Sequence, residues 1–388
     1  MAETYIILRS PTGRGFGFTP RAGGTPSVEI REIDRGELRD VIADPSVDAA
    51  VPSMPMRLVE PIAATAVLAS KPGVAWGVAA VGATRSPWDG TGVTVAVLDT
   101  GIDQSHPAFS GMSGIEEADF TGEGSGDTHG HGTHCAGTIF GRDVDGYRIG
   151  IARGIHRALI GKVLGRDGSS TAQLYRAILW ALEKGAHVVS MSLGIDFSGA
   201  VARSIRSGLP PEIAASRALD AYRANLRLFD WLAGSIPMQE PFRGHGSLVV
   251  AAAGNESRRL ERPDWEIGVP PPACTEGFVS VAALGRAEGA TPPYRVASFS
   301  NVGASIAAPG EDIVSAGLGG GLLSMSGTSM ATPHVAGITA LWAQRMLAET
   351  GHLRTDSLRS RVLGTATRLV GLDPLATGDG LAQAPSEA

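Results

Sequence analysis

The stretch "VTVAVLDTGID", residues 93–103, decides the fold. Six apolar or β-branched residues run without polar alternation and stop at Asp99. A strand with one wet face alternates apolar and polar side chains, whereas an unbroken run belongs to a strand covered on both faces. Similar runs follow at "ALIGKVL" (158–164), "HVVSMSL" (187–193), "LVVAAA" (248–253) and "FVSVAAL" (278–284). Between them "STAQLYRAILWALEKG" (170–185) has the spacing of an amphipathic helix closed by Gly185. The sequence therefore predicts an α/β fold, a three-layer α/β/α arrangement on a mainly parallel sheet. In such sheets the working residues lie just beyond the carboxyl ends of the strands, where Asp99 falls.

Upstream, "TYIIL" (4–8) and "SVEIREI" (27–33) read as strands, and "DRGELRDVIADP" (34–45) as a short helix opened by an Asp cap. With the strand expected in "VDAAVPSMPMRLVEP" this makes a small N-terminal α+β unit, residues 1–62, joined by a connection at 63–80 to the main domain, 81–388. Residues 196–246 separate two expected strands by far more than a usual loop. They are an insertion, with a helix in "PPEIAASRALDAYRANLRLFDWLAGSI" (210–236) that Leu228, Trp231 and Leu232 dock on the body.

The 388 residues are 43% hydrophobic and 19% charged, with 52 glycines, a balance of globular and not disordered chains. The net charge of −6 is spread along the chain, so no nucleic-acid partner is expected. No apolar run reaches membrane-spanning length, and "MAETYIILRSPTGRGFGF" lacks the basic start and apolar run of a secretory leader. Cys135 and Cys274 are the only cysteines and read as two buried thiols. The expectation is a cytoplasmic protein.

Three further segments carry chemistry. "GDTHGHGTHCAGT" (126–138) sets His129, His131 and His134 among glycines. Two readings stand side by side: a metal cluster with Asp127, or one general base at a helix start with structural companions. "SMSGTSMATPHVAG" (324–337) puts Ser329 at a helix N-terminus, with Pro333 in its first turn. Backbone N–H groups and the helix dipole there favour negative charge beside the serine, as an attacked carbonyl would develop. A serine hydroxyl needs a base, and the base an orienting carboxylate. "LVVAAAGNES" (248–257) ends on Asn255, a side-chain amide able to donate to the same oxyanion; taken alone, Asn255 reads as a turn residue, and Asp99 as a cap.

Together these segments resemble the subtilisin-like serine proteases. The resemblance covers residues 74–385, from "AWGVAAVGA" through "VAVLDTGIDQSHPAF", "HGHGTHCAGT", "KVLGRDGS", "VVSMSLG", "VVAAAGNES", "ASFSNVGASIAAPG" and "SMSGTSMATPHVAG" to "GDGLAQAP". The order Asp, His, Ser is that of subtilisin. The resemblance implies Ser329 as nucleophile, His131 as general base and Asp99 as its orienting carboxylate, with Asn255 in the oxyanion hole. It implies that Ser192, Leu193 and Gly194, with Ala253 and Gly254, offer backbone groups to an extended peptide or protein substrate. Cys135 after His134 is similar to the proteinase K-like branch, where that thiol lies near the triad without acting as nucleophile.

"ELRDVIADPSVDAAVPSMPMRLVEP" (37–61) is similar to the end of a subtilase propeptide, which implies a cleft blocked by the chain's own N-terminal segment until cut, with "PIAATAVLASKPGV" (61–74) as the cut region. The alternative is a permanent accessory unit, making a regulated switch or peptide-binding protein. The chemistry requires no cofactor. Calcium-binding members carry "HPD" after the catalytic Asp, whereas "HPA" with Ala108 stands here, and Asp143 and Asp145 of "GRDVDGYR" do not match the ligand pattern. The arginines of "ESRRLERPDWE" (256–266) border the expected specificity pocket and read as solvated.

Overall fold

The computed structural model describes residues 2–9, 27–67 and 72–386. The N-terminal unit is a three-stranded antiparallel sheet, β1 (Glu3–Arg9), β2 (Ser27–Ile33) and β3 (Val47–Pro52), with β1 in the middle. Helix α1 (Arg35–Ala43) starts where expected: the Asp34 carboxylate accepts from the N–H groups of Gly36 and Glu37, and the Glu37 side chain accepts from Asp34 N–H. Two further strands follow, β4 (Pro55–Leu58) and β5 (Ala63–Val67).

The main domain has β6 (Thr94–Asp99), β7 (Gly114–Asp119), α2 (His131–Phe140), β8 (Arg157–Lys162), α3 (Thr171–Glu183), β9 (Val188–Met191), β10 (Leu193–Ile195), α4 (Phe197–Arg206), α5 (Pro211–Met238), β11 (Leu248–Ala252), β12 (Val279–Arg286), β13 (Tyr294–Val296), β14 (Ile306–Pro309), β15 (Leu322–Ser326) and α6 (Thr328–Thr350). Its eight-stranded sheet runs β13-β12-β11-β9-β6-β8-β7, with β14 also beside β12. Every pairing is parallel except β12 with β13. The unbroken apolar runs have the predicted cause. Val95 and Val97 join one core with Ile139, Val335 and Ile338, while Ala96 and Leu98 join a second core with Leu174, Tyr175 and Ile178. Successive residues of one strand thus fill opposite layers, and each buried side chain of this size contributes about 1.5–3 kcal/mol.

Two expectations change. The connection at 63–80 is not featureless: β5 pairs antiparallel with β15, and Trp76–Ala80 is helical. Of the expected cut region, residues 68–71 lie outside the described residues. The insertion holds three helices, not one: α4, α5 and a single turn at Glu240–Arg243, with α5 28 residues long. Leu228, Phe229 and Leu232 of α5 share a core with Ile6, Leu8 and Val51 of the N-terminal unit. The fully buried Asn225 donates from Nδ2 to the Pro52 carbonyl, 2.9 Å away. The insertion is the seat of the N-terminal unit, which explains its apolar helical spacing.

Candidate active site

Asp99 ends β6 at the carboxyl edge of the sheet and is 1% exposed. His131 is the first residue of α2, entered through Gly130 in the left-handed region (φ 95°). Its Nδ1 lies 2.7 Å from Asp99 Oδ1, which also accepts from Thr100 N–H. A Cβ on Gly132 would meet the Gly101 carbonyl at 2.2 Å, so only glycine lets α2 approach the Asp99 loop this closely. Burial opposes charge on the His131 imidazole, but the touching Asp99 carboxylate outweighs it and holds the ring above the ordinary value of 6.5. The neighbouring Cys135 thiol acts on the ring in the same direction as Asp99, while burial pushes the thiol's own pKa up.

The other two histidines do different work. His134 Nε2 reaches the Ile313 and Leu323 carbonyls at 3.0 Å, and burial drives its pKa down to about 3. It is a neutral tie between α2 and the β-hairpin that leads to α6. His129 is half-exposed, its ring 6.3 Å from that of His131. Asp127 accepts from the N–H groups of His129, Gly130 and Thr133 and from the hydroxyls of Thr100 and Thr133. Its carboxylate is spent on folding the turn before α2, so Asp127 with His129 and His131 is not a metal centre. Of the segments considered for calcium, Asp143 is paired with Arg153 at 2.8 Å and Ala108 is buried.

Ser329 is the second residue of α6, as the small residues before it predicted. Pro333 is not in the first turn but inside the helix, where it denies the Ser329 carbonyl its i+4 partner. The Cys135 thiol supplies one, with Sγ 3.4 Å from that oxygen and 3.8 Å from His131 Nδ1. Cys135 thereby ties α2 to α6 beside both reactive side chains, a role invisible in the sequence. Asn255, just beyond β11, accepts at Oδ1 from the N–H and hydroxyl of Thr328 at 2.9 Å each, which aims its Nδ2 outward.

A peptide already crosses this site, and it is the chain's own. β4 pairs antiparallel with β10, setting Leu58 against Leu193, Arg57 against Gly194 and Met56 against Ile195. Val59 N–H donates to the Ser192 carbonyl at 3.2 Å, and beyond the site Ile62 N–H donates to the Ser326 carbonyl at 2.8 Å. Ser192, Leu193 and Gly194 thus form the pairing edge. Across the cleft the Ala253 N–H goes to the Val281 carbonyl, the Gly254 N–H to Thr328 Oγ1, and the Gly254 carbonyl accepts from Asn301 N–H. In the loop 256–266, Arg258 and Arg262 are exposed as expected, whereas Arg259 is largely covered, paired with Glu266 and donating to the Ser300 carbonyl.

The threading across the reactive groups is split. Ser329 Oγ donates to the Val59 carbonyl at 2.8 Å, whereas Asn255 Nδ2 donates to the next carbonyl, that of Glu60, also at 2.8 Å. His131 Nε2 is buried and has no hydrogen-bond partner. The serine–histidine hydrogen bond is therefore not made in this state. The sequence gives no sign of the offset except Pro61.

The model of the subtilase family matches residues 90–380. A thermostable alkaline protease of Halalkalibacterium halodurans is 32% identical over 361 residues, covering 91% of this chain and 81% of that protein. An intracellular serine protease of Paenibacillus polymyxa is 34% identical, covering 75% of this chain and 79% of that protein. A subtilisin-like serine protease of Penicillium rubens is 29% identical over 93% of this chain and 81% of its own length. The chain belongs to the subtilase family as a subtilisin-like serine endopeptidase.

Proposed function

We propose that the chain cleaves peptide and protein substrates by acyl transfer through Ser329, His131 and Asp99. His131 Nε2 takes the Ser329 hydroxyl proton as Oγ bonds to the substrate carbonyl carbon. The oxyanion rests on Asn255 Nδ2 and the Ser329 N–H at the start of α6. His131 then protonates the leaving nitrogen, the C–N bond breaks, and water repeats the sequence on the acyl-enzyme. Asp99 holds the ring and balances its charge. The observation that carries this reading is the chain's own peptide, with one carbonyl on Ser329 Oγ and the next on Asn255 Nδ2.

The N-terminal unit is read as an intramolecular inhibitor, because it fills the cleft as an extra strand. Two observations favour its staying in place: the shared core with α5, and the offset that puts no carbonyl on both catalytic groups. An intracellular site of action is supported by the likeness to the Paenibacillus polymyxa protease and by two free thiols, one of them exposed. Among the described residues no helix is long and apolar enough to cross a membrane.

The test is Ser329→Ala in the full chain. Hydrolysis falls by about 10⁶-fold while the far-UV spectrum is unchanged. Wild-type activity in that variant sinks the assignment, and activity that survives it but disappears with a chelator points to a metal hydrolase. Intact mass on the same samples separates the two roles of the N-terminal unit: its loss in wild type but not in Ser329→Ala means self-release.

A further inference from the structure

The side chains of the seated strand differ sharply in surroundings. Met56, Leu58 and Val59 are buried, at 2%, 8% and 4% exposure. Arg57 between them is half-exposed and held by charge: its Nη2 lies 2.9 Å from Glu256 Oε1, and its Nη1 lies 3.9 Å from Asp196 Oδ1. Both acceptors belong to the main domain, and both are fixed without Arg57. Glu256 Oε2 accepts from Asn301 Nδ2 at 2.7 Å, and the buried Asn301 in turn accepts at Oδ1 from the N–H groups of Glu256 and Ser257. Asp196 caps α4 by accepting from Gly199 N–H, and its own N–H donates to the Pro55 carbonyl of the same strand. Arg203 lies 3.5 Å from the other Asp196 oxygen, which leaves Glu256 as the principal acceptor for an incoming cation.

From this geometry we propose that Glu256, assisted by Asp196, is a specificity determinant that selects a basic side chain, arginine above lysine, at the third residue before the cleaved bond. The inference rests on the peptidase reading given above. The position follows from the pairing. Val59 has its N–H on Ser192 and its carbonyl on Ser329, so its place is that of the acyl residue, and Arg57 stands two residues before it. Arginine suits the pair because a guanidinium presents separate N–H groups to two carboxylates, whereas an ammonium is a point charge. Glu256 directly follows Asn255, so the subsite and the oxyanion donor are carried by one rigid turn.

The experiment uses the full chain with Arg57→Glu, which places like charge against Glu256 and loosens the strand. Fluorophosphonate labelling is expected to be faster than in wild type. The p-nitroanilides Met-Arg-Leu-Val, Met-Ala-Leu-Val and Met-Glu-Leu-Val are then compared. The arginine peptide is expected to exceed the alanine peptide about fivefold in kcat/KM, as for a partly exposed ion pair, with the glutamate peptide lowest. Adding Glu256→Gln brings the arginine-to-alanine ratio to about one. Equal hydrolysis of the three peptides, unchanged labelling, or an arginine preference that survives Glu256→Gln overturns the proposal while leaving the peptidase reading intact. No hydrolysis of any peptide together with no adduct overturns both.

Discussion

Deleting Pro61 tests the split threading. Between the Val59 N–H on Ser192 and the Ile62 N–H on Ser326 the chain carries two residues, Glu60 and Pro61. The carbonyl attacked by Ser329 must be the one that Asn255 polarises, yet these two contacts fall on successive peptides. One extended residue advances the chain by about 3.4 Å, so neither carbonyl reaches both groups. A carbonyl attacked without its side-chain donor reacts about 10²–10³ more slowly. The Ser329 proton is also turned toward Val59 and away from His131. Were the Glu60 carbonyl attacked instead, the leaving nitrogen would be that of Pro61, whose ring carbon stands where an N–H normally sits. Removing Pro61 leaves one residue between the two anchors, allows the Val59 carbonyl onto Asn255, and makes the Glu60 amide the leaving group. The deleted chain is expected to split after Val59 at least about 100-fold faster than wild type. Intact mass against time reads this as release of residues 1–59, absent when Ser329→Ala is added. Pro61→Ala keeps the extra residue and is expected to stay whole. A deleted chain as stable as wild type, or a wild-type chain that cuts itself as fast at Val59 or Glu60, refutes the reasoning.

Two further outcomes follow from the site. In the Pro61-deleted protein, Asn255→Asp retains the acceptor for Thr328 but loses the oxyanion donor; kcat is expected to fall about 10²–10³-fold with little change in KM, and a change in KM alone argues against the oxyanion role. His131 must be neutral to act as base, and Asp99 holds it above 6.5, so kcat/KM is expected to rise with pH through a value above 6.5. Asp99→Asn removes the opposing charge, leaves burial to lower the ring, and moves that limb to lower pH; a limb below 6.5 in the parent protein contradicts the assignment.

The layers of the main domain were legible because the physics there is local. Strands such as 93–98 and 248–253 are continuous apolar runs, and a parallel sheet under two helical layers is what such runs require. Asp99, His131 and Ser329 were legible as candidates because each sits at a strand end or helix start marked by glycine and small residues. What escaped the sequence depends on contacts between distant segments. The strand at 55–58 is too short and proline-bounded to announce that it pairs with 193–195, and β5 lies in an Ala/Val stretch without alternation. Asn225 and Leu228 carry a helical pattern but no sign that the N-terminal unit is what they cover. A first turn is where the missing N–H of Pro333 costs least; the Cys135 thiol, supplied from another helix, gives the Ser329 carbonyl a partner in its place. The motif around Ala253 and Gly254 also gives no sign that both N–H groups and the Gly254 carbonyl are bonded within the domain.

Hydrolysis by this site requires His131 to make Ser329 nucleophilic, and that requirement is open to a direct check. It is tested most directly by labelling the full chain, wild type and Pro61-deleted, with a fluorophosphonate and mapping the adduct by peptide mass. A single adduct on Ser329 is expected, formed faster in the deleted chain and lost in both when His131→Ala is introduced. Ser329 unlabelled in both chains, or labelled equally well without His131, would contradict it.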